Sequence, residues 1–229
     1  GDASVPAMPA VKGSVAVIAE HQKRPKILPP RAPEGLFQEA GLRRSRALPY
    51  ILNVDAVVTD GSVRLDFANE GTAGAVFHVY DKRHLDRIPR RYTVEAGKAI
   101  DDVWAVEPDG SFDLWVLSHN GYLRHFQGTA ASAQAPGLTL RQAKRGTDLS
   151  IALAGGDKAT EVTLGKDAYG QAKDRTVAVP AGKTVRDSWS VKQTHDWYDF
   201  TIETAGLTIR AAGRLERGVH GVSDPLMQS

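Results

Sequence analysis

The chain has 229 residues, 41% hydrophobic and 24% charged, which is enough apolar material for one large domain or two small ones and excludes wholesale disorder. Its 29 Lys and Arg stand against 27 Asp and Glu, so the formal charge of +2 lacks the field of a dedicated nucleic-acid binder. With no cysteine, disulfide frameworks, thiol nucleophiles and cysteine-ligated metal sites are excluded.

Residues 1–50 hold seven of the 12 prolines and carry +4. Proline lacks an amide donor and pushes its predecessor to extended backbone, so this stretch predicts an extended linker, the tail of a preceding region, rather than helix or interior strand. The start at Gly1-Asp2 fits a segment excised from a longer protein. Its longest apolar runs, such as Val15 to Ala19, fall far short of the roughly 18 residues that span a bilayer, so no transmembrane segment is expected.

Beyond residue 50 the period is two. Ser62-Val63-Arg64-Leu65-Asp66-Phe67 and Asp148-Leu149-Ser150-Ile151-Ala152-Leu153 alternate polar and apolar, the pattern of a strand with one wet face. Turn signals punctuate such runs at Asp60-Gly61, Asn69-Glu70-Gly71, Ala96-Gly97-Lys98, Asp109-Gly110 and Asn120-Gly121. No helical stripe of 12 residues occurs.

A duplication underlies the pattern. With a shift of 85, or 86 around Phe112 to Leu117, identical residues fall at Val94/Val179, Ala96/Ala181, Gly97/Gly182, Lys98/Lys183, Asp102/Asp187, Trp104/Trp189, Val106/Val191, Asp113/Asp199, Gly121/Gly206 and Gly128/Gly213. The predicted fold is all-β: two tandem antiparallel, Ig-like β-sandwiches of about seven strands at 51–130 and 131–217, then a tail at 218–229. The shared residues speak for architecture. Gly97 and Gly182 suit hairpin turns with positive φ, Trp104 and Trp189 suit the sandwich cores, and Asp113 and Asp199, beside aromatics, suit pairing with a base or a loop amide.

Tests for enzyme chemistry come back empty. Gly182-Lys183-Thr184 looks like the end of a phosphate loop, but Val177 stands where that loop needs glycine. His78 and His84, like His119 and His125, are six apart, yet turn residues interrupt both runs, so no metal site is expected and no cofactor is implied. Asp101-Asp102 has Arg186-Asp187 as its counterpart, which leaves an acid/base dyad unsupported. The one distinctive surface feature is Lys82-Arg83-His84-Leu85-Asp86-Arg87-Ile88-Pro89-Arg90-Arg91-Tyr92. Its Lys82, Arg83, Arg87, Arg90 and Arg91 are candidates for contact with phosphate or lipid head groups, against the plainer reading of a charge-protected edge strand.

Three segments carry a family resemblance: Gln38-Glu39-Ala40-Gly41-Leu42-Arg43-Arg44-Ser45-Arg46-Ala47-Leu48-Pro49-Tyr50, Gly121-Tyr122-Leu123-Arg124-His125-Phe126-Gln127-Gly128, and His195-Asp196-Trp197-Tyr198-Asp199-Phe200-Thr201. From about residue 27 to 217 the chain resembles the C-terminal region of bacterial phosphocholine-specific phospholipases C. The resemblance implies a large N-terminal hydrolase domain of the alkaline-phosphatase type, a linker and two small β domains. It also implies a secreted bacterial enzyme that cleaves phosphatidylcholine-type lipids to diacylglycerol and phosphocholine. The family's metal and nucleophile motifs have no match here, so no catalytic residue is carried over and this segment is expected to be noncatalytic. The second copy departs from the first at Ala211, where the first has Phe126. The expected partners are the catalytic domain of the same polypeptide and phospholipid head groups, with no nucleic acid. Two other readings stay open: a carbohydrate-binding module stacking sugars on Tyr92, Trp115, Tyr122 and Trp197, and a purely structural or assembly module.

Overall fold

The alternating runs fold into strands that pair, without exception among the described residues, antiparallel. The computed structural model describes residues 41–59, 61–129, 135–142 and 147–228. The expectation for residues 1–40, most of the proline-rich linker, lies outside the described residues. A short strand β1 (Arg44–Ser45) comes first. The first half then contributes β2 (Leu52–Thr59), β3 (Ser62–Asn69), β4 (Ala75–Asp81), β5 (Arg90–Val94), β6 (Lys98–Ala105), β7 (Phe112–Leu117) and β8 (Leu123–Gly128). The second contributes β9 (Gly137–Gln142), β10 (Asp148–Ala154), β11 (Thr160–Gly165), β12 (Arg175–Val179), β13 (Thr184–Ser190), β14 (Trp197–Thr204) and β15 (Leu207–Arg214), and β16 (Gly221–Val222) is the last strand, before a 3-10 turn at Pro225–Gln228.

Each half supplies a three-stranded sheet, β2-β3-β6 or β13-β10-β9, and four strands of a larger one. The sequence predicts two sandwiches in tandem; the finding beyond that is their junction. β8 pairs with β15, so the two sets of four strands become one eight-stranded sheet in the order β12-β11-β14-β15-β8-β7-β4-β5. Its register places His125 opposite Arg210, Leu123 opposite Ala212 and Gln127 opposite Thr208. His125 and Arg210 are counterparts in the duplication, so the pairing is symmetric about that one position.

Alternation decides which side chains face inward. Val63, Leu65 and Phe67 of β3 are fully buried, and Phe67 meets Phe77 of β4 with ring centroids 5.3 Å apart. In the second half Trp189 of β13 stacks on Phe200 of β14 at 4.0 Å and 8°. These rings belong to one continuous core running through both halves, where burial of each large side chain is worth about 1.5–3 kcal/mol. β14 is buried along most of its length on both faces. The C-terminal segment helps cover it: Trp197 Nε1 donates to the carbonyl of Val222 (3.1 Å), and Tyr169 donates its hydroxyl to Asp224 (2.8 Å). β16 also pairs with β1, tying the start of the described chain to its end.

Gly97 and Gly182 sit in the predicted hairpin turns with φ of +68° and +63°, and a Cβ at either would meet nothing within 4 Å. The cost of a side chain there is therefore purely conformational. Gly182→Ala is expected to cost about 1 kcal/mol, read as a lower midpoint with unchanged slope in urea unfolding.

At the junction lies a charge on the inward face of its strand, in step with Phe126. Arg124 of β8 is 2% exposed. Its Nη1 donates to the carbonyls of Leu123 (2.9 Å) and Ala212 (3.3 Å), and its Nη2 to the hydroxyl of Tyr198 (3.0 Å). The guanidinium also lies 4.4 Å from the Tyr122 ring and 5.4 Å from that of Tyr198. Burial works against its charge, yet Tyr122, Tyr198 and Asp55 together hold its pKa above the usual arginine value. Nearby, Arg141 of β9 bonds Asp55 of β2, joining the two three-stranded sheets.

Candidate functional site

The basic run predicted from sequence forms the connection from β4 to β5 and one wall of a groove of about 340 Å³. Asp81, the last residue of β4, starts the loop. Its Oδ1 accepts the amide of Arg83 (3.0 Å) and its carbonyl accepts that of His84 (3.0 Å), after which the His84 carbonyl accepts the amide of Arg87 (3.0 Å). These successive turns put Leu85 and Ile88 at the surface, 62% and 88% exposed.

The five cations of the run are not equivalent. Lys82 lies 3.8 Å from Asp113 and 4.4 Å above the Trp115 ring. Arg83 lies 3.7 Å from Asp109. Arg90 bonds Asp102 (2.9 Å) and the carbonyl of Val103 (3.1 Å), with its guanidinium 4.0 Å over Trp104. Arg87 and Arg91 are exposed and make no ion pair among the described residues. Only these two of the five are thus uncommitted.

The Arg90 arrangement recurs. Arg175 bonds Asp187 (3.0 Å) and the carbonyl of Ser188 (2.7 Å), with its guanidinium 5.1 Å over Trp189. Asp102/Asp187 and Trp104/Trp189 stand among the sequence identities, and extending the comparison four residues upstream would have added Arg90/Arg175. In the first half Tyr92 joins in, donating to Asp102 at 2.5 Å. Burial, then the bond to Asp102, pushes the Tyr92 phenol up to about 12. Burial alone would raise the Asp102 pKa, but donation from Tyr92, the Val103 amide and Arg90 outweighs it and holds the carboxyl below its usual value. Trp104 and Trp189 are 8% and 3% exposed.

Asp113 and Asp199 lie on the outer face of the large sheet. Asp113 is 2.6 Å from His125 Nε2, and Asp199 takes both Nε (2.8 Å) and Nη2 (2.6 Å) of Arg210. His119 is elsewhere, stacked on Tyr50 at 4.3 Å, so His119 and His125 share no site. The rings considered for sugar stacking form no common platform: Tyr122 and Trp197 are each 6% exposed, Tyr92 lies against Phe67, and Trp115 is flanked by Lys82 and His125.

His84 has partners that spacing along one strand could not reveal. Its Nε2 is 2.6 Å from Oε1 of Glu107, just past β6, and ligand atoms of Asp81, His84 and Glu107 all lie within 4.8 Å of one another. All three line the groove, together with Arg87, Arg90 and Trp104. Glu107 is 23 residues from His84, and no local motif joins them. A second, more open groove of about 720 Å³ is lined by Arg44, Arg46, Lys192, His195, Arg217 and His220, among others. Asp196 holds Arg217 there through both carboxylate oxygens, at 2.6 and 2.7 Å.

Comparison with known proteins gives the frame for these features. The sequence model of one family, "Bacterial phospholipase C, C-terminal domain", matches residues 44–129 and 138–214. Over 97% of its length the chain is 35% identical to a non-hemolytic phospholipase C of Pseudomonas aeruginosa, and over 99% it is 34% identical to one of Burkholderia pseudomallei. It is 26% identical over 83% of its length to a hemolytic phospholipase C of Pseudomonas aeruginosa. The chain spans about a third of the length of these relatives, 34%, 34% and 30% respectively. Among the described residues no helix is long and apolar enough to cross a membrane.

Proposed function

Since the chain belongs to the family of bacterial phospholipase C C-terminal domains, we propose that it is the noncatalytic C-terminal region of a secreted phospholipase C acting on phosphatidylcholine-type lipids. In this reading the chain stabilises or orients a catalytic domain that precedes it and helps that domain approach lipid. The observation that carries the reading is the match itself: both halves align with enzymes named phospholipase C, and the chain accounts for only about a third of their length. The halves correspond to two repeats, 51–130 and 131–217.

Lipid contact is assigned to the β4–β5 loop. Exposed Leu85 and Ile88 flank Asp86 and the uncommitted Arg87, and Arg91 follows. Apolar insertion and attraction to anionic head groups reinforce each other, at about 0.8 kcal/mol per buried methylene and about 1 kcal/mol per cation near the surface. Support for a role beside the catalytic domain comes from the β1–β16 pairing, which anchors the start of the described unit to its C-terminal segment.

The chain is expected to sediment with vesicles of phosphatidylcholine and phosphatidylserine at low ionic strength and to be released as salt rises. Ile88→Ser with Arg87→Gln is expected to weaken binding about tenfold or more. Absence of sedimentation even at low salt would remove the lipid role. Hydrolysis of a chromogenic phosphocholine ester by the purified chain would overturn the noncatalytic reading.

A further inference from the structure

We propose that Asp81, His84 and Glu107 form a binding site for one divalent transition-metal cation, with Zn²⁺ the best match to the donor set. The site draws on three places in the chain: the end of β4, the turn after it and the residue beyond Val106. It brings an imidazole nitrogen and two carboxylates within 4.8 Å, the one such grouping of three among the described residues. Imidazole favours Zn²⁺ over Mg²⁺ or Ca²⁺, and two carboxylates offset the charge of a divalent ion.

The distances suit a small adjustment. Tetrahedral Zn²⁺ with bonds of about 2.0–2.2 Å sets neighbouring ligand atoms about 3.3–3.5 Å apart. His84 and Glu107, now 2.6 Å apart, would open slightly, while Asp81, within 4.8 Å of both, would close by at most about 1.5 Å through side-chain rotation. All three residues are half-buried and line the groove, so an ion has a path in and a free coordination position is reachable by solvent.

The surrounding charges leave the place available. Three of the nearby cations are held by other carboxylates, Lys82 by Asp113, Arg83 by Asp109 and Arg90 by Asp102, which leaves Arg87 as the uncommitted cation on the groove. Neither Asp81 nor Glu107 makes an ion pair with lysine or arginine among the described residues: Asp81 Oδ1 accepts the Arg83 amide, and the Glu107 carboxylate pairs with His84. The second half has Lys166 and Lys192 at the positions equivalent to Asp81 and Glu107. The shared architecture therefore does not demand carboxylates there, and the acidic pair is particular to the first half. A bound ion would clip the β4–β5 turn to the end of β6. Metal binding itself requires no lipid, so its failure would leave the membrane reading untouched.

The test is calorimetric titration of the full chain, stripped with chelator, with Zn²⁺ alone. Saturation at one equivalent is expected, with affinity reduced at least tenfold in Asp81→Asn, His84→Asn and Glu107→Gln and unchanged in His220→Asn, which removes a histidine elsewhere. Melting temperatures without metal check that the variants remain folded; these polar, near-isosteric changes on a half-buried turn should leave them close to that of the parent. No heat of binding up to about 1 mM Zn²⁺, or binding that survives all three substitutions, would overturn the proposal.

Discussion

Phe200→Ala is expected to destabilise the protein by about 4 kcal/mol and to lower its melting temperature by roughly 8–16 °C. The ring is fully buried in β14 and lies flat on Trp189, so truncation removes transfer energy and leaves a cavity between the two layers of the second half. The duplication supplies the control. Leu114 occupies the equivalent place in the first half, and Phe200→Leu, which keeps most of the volume, is expected to cost only about 1–1.5 kcal/mol. Thermal melts followed by far-UV circular dichroism would decide it. A loss below about 1 kcal/mol for the alanine variant would mean that this stacked pair is not central to the core.

Arg124→Ala is expected to cost about 3 kcal/mol in urea unfolding. The substitution removes three hydrogen bonds from a charged donor and two cation–ring contacts, and it deprives the Tyr198 hydroxyl of its donor. Arg124→Met restores bulk without charge and should recover part of the loss, because the desolvation cost of the guanidinium disappears with it. If the alanine variant unfolds at the midpoint of the parent, the buried cation is not what holds the junction.

Much of the fold can be read from short stretches because its strands declare themselves locally. The alternation at Ser62 to Phe67 and at Asp148 to Leu153 becomes β3 and β10, and glycines at the expected turns take positive φ at Gly61, Gly97, Gly110 and Gly121. What escapes sequence reading is contact between distant edges. Nothing near Leu123 or Leu207 marks β8 and β15 as partners, since strand pairing depends on backbone groups that every residue shares. Arg124 escapes for a related reason: alternation sets it on the face of Phe126, but the groups that satisfy its charge there, the Tyr198 hydroxyl and the Ala212 carbonyl, come from the other half. At the candidate site the five cations were visible as a cluster, but not which of them are held. Asp102, Asp109 and Asp113, which neutralise three, follow 12 to 31 positions after their partners.

The junction also determines what either half could be by itself. Separated from its neighbour, β8 would present a bare row of amides and carbonyls, and the Arg124 charge would lose the Ala212 carbonyl and the Tyr198 hydroxyl. Because the register is centred on His125 and Arg210, the edge that fills that place is the counterpart of β8 in the second half, paired about a local twofold. Joining two copies in one polypeptide supplies that edge internally. It also frees the central seats to differ, so histidine faces arginine where twin subunits would be obliged to set like against like.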